Sequence, residues 1–172
     1  MFKDERDKID GDYHGHYDWC KRKGWYVEQD ELVRLMQSDE IVLVVDVRDD
    51  DHLGGNIKGS IHVPDGTFWK TIGDTASRVE QGSTVVFHCM ESARRGPRCA
   101  FRLHKYLSEE QPQLHCSIRV LRGGADLWIR RFFRDPALVE NFDNDYWGWD
   151  HGDGGEKPLQ DGLPSHSLYA RE

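Results

Sequence analysis

One run of residues has both the types and the spacing for nucleophilic chemistry on an oxyanion: His88-Cys89-Met90-Glu91-Ser92-Ala93-Arg94-Arg95-Gly96-Pro97. A loop of main-chain amides that ends at a helix N-terminus turns partial positive charge on whatever it encloses. Arg95 adds a planar guanidinium whose fork matches two oxygens of a tetrahedral anion. In such a field a thiol ionises more readily than its usual pKa of about 8.5 allows, so Cys89 is expected to be a thiolate near neutrality. A thiolate beside a bound oxyanion is a nucleophile aimed at phosphorus or arsenic. The loop expected to hold that oxyanion runs through Met90, Glu91, Ser92, Ala93, Arg94 and Arg95. Glu91 is its one acidic residue and the candidate general acid, although a solvated, outward position suits it better. Ser92 has two open roles: a hydroxyl hydrogen bond to the thiolate, or closure of the turn. A structural cysteine that merely precedes an arginine is the plainer reading, and the strand-loop-helix setting argues against it.

That setting is read from the flanking patterns. Residues 83–87 are apolar and β-branched, as in a buried strand. Residues 98–107 can be written as a helix that packs through Phe101, Leu103, Tyr106 and Leu107. Gly96-Pro97 suits its start, with proline in the first helical position. Residues 41–47 are continuously apolar, the mark of a strand covered on both faces. This puts Asp46 near that strand's carboxyl end, where it is expected to order backbone rather than act as an acid. Further strands are expected at 25–27, 61–63 and 117–121. Helices are expected at 28–36 (Leu32, Val33, Leu35 and Met36 inward) and 125–133, with one or two short helices within 66–80 (Phe68, Trp69 and Ile72 inward). The alternation predicts an α/β fold, a central parallel sheet with helices on both faces. Ligands in such sheets bind beyond the carboxyl ends of the strands. Cys89 and the turn at Gly123-Gly124 both belong there.

The 172 residues suffice for one domain with a real core. The four cysteines, at positions 20, 89, 99 and 116, have neither disulfide nor zinc spacing, which points to a reducing compartment, the cytoplasm, with the nucleus as a second location. No apolar run reaches membrane length, and the charged start does not resemble a signal peptide. A net charge of -8 argues against nucleic acid as a partner. It also makes the cluster Arg94, Arg95, Arg98 and Arg102 conspicuous. A solvated helix face accounts for Arg98 and Arg102, so only Arg95 is assigned chemistry. Residues 1–24 read as a flexible arm. Its His14, His16, Asp18 and Cys20 alternate like metal ligands but lack outer hydrogen-bond partners, so no metal is expected. Cys99 and Cys116 are expected to be small packing residues, and His52, His62 and His88 structural ones. Residues 134–172 form a C-terminal extension. Within it a helix is expected to finish near Glu140, and Trp147 or Trp149 is expected to dock on the domain of residues 25–133. A monomer is expected.

Three ordered blocks carry a resemblance. Val45-Asp46-Val47-Arg48-Asp49, followed by Gly55-Asn56-Ile57-Lys58-Gly59-Ser60-Ile61-His62-Val63-Pro64, resembles the opening signature of the rhodanese fold, and Leu121-Arg122-Gly123-Gly124-Ala125-Asp126-Leu127-Trp128 resembles its closing signature. Between them, the loop from Cys89 to Arg95 is one residue longer than that of the family's sulfurtransferases, which widens the ring of amides for a phosphate-like anion. With His-Cys-x-x-Ser-x-x-Arg-Gly-Pro it resembles the M-phase inducer (cell-division-cycle) dual-specificity phosphatases and the related small eukaryotic arsenate reductases. By that resemblance Cys89 is the nucleophile and Arg95 the oxyanion clamp. Met90 and Arg94 stand where the cell-cycle phosphatases carry glutamates, and Val47 where they carry a second cysteine. The chain thus looks more like the small, stand-alone members. The resemblance implies a phosphatase that needs no cofactor, works through a cysteinyl-phosphate and acts on a phosphorylated substrate. The alternative is an arsenate reductase, with the same thiolate and glutathione or glutaredoxin as reductant; Cys99 is then a candidate internal partner. Thiosulfate sulfur transfer and a non-catalytic oxyanion-binding module are the remaining readings.

Overall fold

The computed structural model describes residues 15–148; the expectations for residues 1–14, His14 included, and for 149–172, Trp149 included, lie outside them. In chain order the elements are α1 (Gly15–Arg22), β1 (Tyr26–Val27), α2 (Gln29–Gln37), β2 (Val42–Asp46), β3 (Asn56–Ile57), β4 (Ile61–His62), α3 (Asp65–Ala76), β5 (Thr84–His88), α4 (Arg95–Glu110), β6 (Ser117–Leu121), α5 (Gly124–Phe132), β7 (Val139–Glu140) and α6 (Asn144–Trp147). Five strands pair in parallel in the order β1-β6-β5-β2-β4.

The apolar runs explain the two central strands. Every residue of β5 is buried, because both faces are covered and no position needs to be polar for water. Val45, Val85, Phe87, Ile118 and Val120 pack on one face with Phe68, Cys99, Leu103 and Leu107 from α3 and α4. Val44, Val86 and Leu121 pack on the other with Leu32, Trp128 and Ile129 from α2 and α5. Register then sets the site's level: Asp46 lies opposite His88 at the carboxyl ends of β2 and β5. Cys89 is the next residue.

Some boundaries differ from the sequence expectation. Helix α4 begins at Arg95, so Pro97 is its third residue rather than its first. Proline is tolerated there because the first four helical N–H groups have no intrahelical partner. On α3, Phe68 is fully buried while Trp69 is 43% exposed; neighbours on a helix point about 100° apart, and only one of the two faces the sheet. On α2 only Leu32 is buried among its apolar residues, with Val33 and Met36 packed at the margin.

The expected flexible arm is corrected for its second half. Residues 15–22 form α1, laid on α4 through an aromatic seam. Trp19 meets Trp25 and Phe101 edge-on, at ring distances of 4.6 and 5.0 Å, and His16 lies 5.2 Å from Phe101. Cys20 is fully buried, with its thiol 3.7 Å from the Pro97 carbonyl. His16 and Cys20 are therefore packing residues.

The domain also runs past residue 133. No helix continues to Glu140: Asp135 precedes proline, which disfavours helical backbone, and the chain turns there, with the Leu138 and Val139 amides donating to the Asp135 carbonyl at 3.0 and 2.9 Å. Leu138 and Val139 enter the core, and β7 pairs antiparallel with β3. The Leu138 carbonyl accepts from the Trp128 indole at 3.0 Å and from the Lys58 amide at 2.9 Å. Further on, the Trp147 indole donates to the Gly54 carbonyl at 2.9 Å, and the Arg130 guanidinium lies 5.5 Å from the Trp147 ring. Gly54 has φ +78, and a Cβ there would lie 2.2 Å from the Tyr146 ring and 2.7 Å from the Trp147 indole nitrogen. Among the described residues no helix is long and apolar enough to cross a membrane.

Trp147→Ala removes that hydrogen bond and a half-buried ring, about 2 kcal/mol. A circular-dichroism melt should show Tm lower by about 4–8 °C for a chain of this size.

Candidate active site

Strand β5 ends on His88, and Cys89 follows at 4% exposure. The first turn of α5 fixes the loop from outside: the Ala125 amide donates to the Cys89 carbonyl and the Asp126 amide to the Met90 carbonyl, both at 2.9 Å. Gly124 makes this approach feasible. Its φ is +56, and a Cβ would lie 2.4 Å from the Cys89 oxygen and 2.5 Å from the Met90 oxygen. Across a trans peptide the N–H points opposite to the C=O, so the Met90 and Glu91 amides face away from α5. Ser92 then takes a left-handed conformation, φ +58, which costs a non-glycine residue about 1–3 kcal/mol. That turn brings the Ser92 amide to 3.2 Å from the Cys89 sulfur. The Tyr26 hydroxyl holds the same residue by donating to the Ser92 carbonyl at 2.7 Å.

These contacts separate the two roles considered for Ser92. The sulfur receives the main-chain amide, whereas the buried Ser92 hydroxyl has no hydrogen-bond partner among the described residues. Glu91 and Arg94 are exposed at the loop's rim, and Met90 and Ala93 are half-buried.

Arg95 opens α4, but its side chain is engaged elsewhere. Nη1 and Nη2 donate to the two carboxylate oxygens of Asp51, each at 2.6 Å, and Nη1 also donates to Asp49 Oδ2 at 3.2 Å. Hydrogen bonding from Arg95 holds the Asp51 carboxyl below its ordinary range. Asp49 Oδ1 in turn accepts from the Gly66 amide at 2.9 Å, tying the carboxylate loop to α3. Asp49 entered the sequence reading only as the last residue of the 45–49 block and Asp51 not at all; the further signal was the density of acid after β2, which is common on solvated loops.

The expectation of a solvated face for Arg98 and Arg102 is also corrected. Arg98 donates to both oxygens of Asp65, and Arg102 lies 3.8 Å from the nearer one. The Cys99 thiol donates to the same Asp65 oxygen at 3.2 Å. Burial, reinforced by Asp65, pushes the Cys99 pKa well up. Burial likewise raises Cys20 to about 12 and raises Cys116. Burial thus favours the protonated thiol at all three positions.

Beneath the loop lies a fully buried ion pair that the sequence reading passed over. Asp46 accepts from Arg48 Nη2 at 2.7 Å and from Nε at 3.0 Å, as well as from the Arg48 amide at 3.1 Å. The remaining Arg48 donors reach the carbonyls of Gly55 at 2.8 Å and Leu53 at 3.2 Å. Burial works against the Asp46 carboxylate, and His88 and Arg48 outweigh it, bringing the pKa down to about 2. Complete burial pushes His88 down against the pull of Asp46. The His88 ring is thus neutral at pH 7, and the charge holding Asp46 ionised there is Arg48's. His62 Nε2 lies 2.6 Å from the Arg48 carbonyl, and the His62 ring stacks on His52 at 3.8 Å. Asp46 is an organiser, as expected, but of a side chain more than of backbone. Among the described residues no group of three or more histidine, cysteine or acidic side chains could hold a metal ion.

A family model, the rhodanese-like domain, matches residues 28–131. The chain is 35% identical over 105 residues to the dual specificity phosphatase Cdc25 of Arabidopsis thaliana, covering 60% of this chain and 71% of that one. It is also 35% identical over 105 residues to arsenate reductase 2.2 of Oryza sativa subsp. japonica, covering 60% and 80%. The structure of Ygr203w, a yeast protein tyrosine phosphatase of the rhodanese family, superposes with a TM-score of 0.66 at 29% identity, covering 71% of this chain and 95% of that one.

Two outcomes follow from the site. Gly124→Ala should destabilise the protein by about 2 kcal/mol or more in urea denaturation. Gly59→Ala, at φ +73 with no atom within 4 Å of the new Cβ, should cost about 1 kcal/mol. The histidines give the sign of a pH effect. The unfolded chain protonates His88 near its ordinary 6.5 and the folded chain resists, so this stability is full above that pH and is lost as the pH falls below it. His52 and His104, also pushed down by burial, act in the same direction. The urea midpoint should therefore drop from about pH 8 to about pH 5, and His88→Asn should shrink the drop.

Proposed function

This chain belongs to the rhodanese-like domain family, and on that premise we propose that it is a cysteine-dependent phosphatase acting through a cysteinyl-phosphate intermediate. Its relatives at about 30–35% identity include phosphatases and arsenate reductases. The observation that carries the reading is the seat of Cys89. Its sulfur lies at the carboxyl end of the sheet and accepts the Ser92 amide at 3.2 Å. The loop carbonyls are bound outward by α5, and the loop closes on the arginine that starts α4. A sulfur that accepts a main-chain N–H in the loop between β5 and α4 is placed to act as a nucleophile on an oxyanion held by that loop.

In the proposed reaction, loop amides and Arg95 bind the oxygens of a phosphate monoester. The Cys89 thiolate attacks phosphorus in line, an S–P bond forms, and the bond to the leaving oxygen breaks. The leaving oxygen takes up a proton. Water then attacks phosphorus, the S–P bond breaks, and phosphate departs with the thiolate restored. Glu91 is exposed and is the loop's only carboxyl able to supply the proton; an activated aryl leaving group does not need it. No step calls for a cofactor.

Similarity to the rice arsenate reductase favours a second reading. Here the thiolate attacks arsenate and water leaves. A glutathione thiol then attacks the cysteine sulfur, arsenic departs as arsenite with the electron pair, and the resulting mixed disulfide is reduced by glutaredoxin. The buried, protonated Cys99 supports an external thiol over an internal one. The loop length sets thiosulfate sulfur transfer below both readings. The presence of both Cys89 and Arg95 does the same for a mere binding module.

Cys89→Ser should lower aryl-phosphate hydrolysis by about 10³-fold or more with Tm little changed. The same two proteins, assayed for glutathione-dependent arsenate reduction, assign the main activity. Hydrolysis and reduction both persisting in Cys89→Ser would exclude both mechanisms.

A further inference from the structure

The Arg95 guanidinium is already bound by anions of the chain itself. Both Nη atoms sit on Asp51 in a parallel two-point contact at 2.6 Å, with Asp49 adding a third bond. A fork-to-fork pair of this kind uses the same donors, in the same plane, that a tetrahedral oxyanion would use. We propose that Asp51 is an internal competitor for Arg95, a positioning residue that an incoming phosphate or arsenate must displace, so that it sets the affinity threshold of the site. This rests on the phosphatase or reductase reading above.

Three observations fit the role. Asp51 and Arg95 are only partly buried, 34% and 23% exposed, so exchanging the pair does not require opening the core. The loop that carries Asp51 is anchored independently of Arg95. Arg48 holds its carbonyls at Leu53 and Gly55, and the Leu53 amide donates to the Asp51 carbonyl at 2.8 Å. The carboxylate can therefore lose Arg95 without the loop losing its place. Finally, Asp49 turns its other oxygen to the Gly66 amide, leaving Asp51 as the two-point partner. Displacement leaves two carboxylates near a multiply charged anion, so the competition weakens oxyanion binding twice, by occupying the donors and by repelling the ligand.

The test is Asp51→Asn, which keeps an oxygen for the Asp49 amide that Asp51 now accepts at 3.0 Å. Inorganic phosphate is titrated as a protectant of Cys89 against iodoacetamide, read on the Cys89 peptide by mass spectrometry, alongside steady-state aryl-phosphate kinetics. The concentration giving half-protection should fall about 2–5-fold, as expected for an ion pair partly exposed to solvent, with the gain in KM rather than kcat. In an Arg95→Lys background, which lacks the fork, the gain should largely vanish. Unchanged or weaker protection in Asp51→Asn, or an equal gain without Arg95, overturns the proposal. Asp51→Ser serves if the asparagine variant does not fold. A wild-type protein that phosphate protects and that turns over, but in which Asp51→Asn has no effect, overturns the competitor alone. A wild-type protein with neither protection nor turnover on either substrate overturns the functional reading beneath it as well.

Discussion

Two opposite charges with no contact to water, Asp46 and Arg48, stand at the carboxyl end of β2. Taking both out of water costs several kcal/mol per ion, and such pairs recover that only with near-complete hydrogen bonding. Here the recovery comes from the backbone: every Arg48 donor not on Asp46 ends on a carbonyl of the segment that follows. The pair therefore folds residues 49–55 back over the sheet. It puts the acidic loop beside Arg95 and presents Gly54 and Gly55 to the C-terminal residues. His88 and His62 pack around the same charges, so one buried contact sets the floor of the site and part of its wall.

The loop above is shaped from two sides. The N-terminal amides of α5 draw the carbonyls of Cys89 and Met90 outward, and the Tyr26 hydroxyl on the edge strand takes that of Ser92. With the carbonyls engaged, the opposite faces of those peptides carry donors. The left-handed turn at Ser92 is the local strain that this arrangement requires. It is sustained because Ser92 itself is buried, with its amide and carbonyl both hydrogen-bonded, rather than because serine favours it.

What was legible in the sequence is what short-range pattern encodes. The apolar runs at 41–47 and 83–87 gave the two central strands, since strands covered on both faces tolerate few polar residues. Cys89, Arg95 and the double glycine marked the loop and its clasp. What was not legible depends on partners far apart along the chain. Arg95 and Asp51 are separated by 44 residues, and no period reveals that a guanidinium will choose a carboxylate over the pocket. The pairing of β3 with β7 involves two residues on each strand, too few for alternation to register. Helix α1 has two turns, and its aromatic face becomes visible only once Phe101 is seen opposite it.

The segment matched by the family model stops at residue 131, a few residues short of its own support. Trp128 sits inside that segment, yet its indole hydrogen is received at Leu138, and the β3 edge is completed by a strand that begins at Val139. The matched segment and the folding unit are thus not the same length. A gene fragment cut to the shared boundary would encode an opened core, and its inactivity would say more about missing scaffolding than about the chemistry of the cysteine.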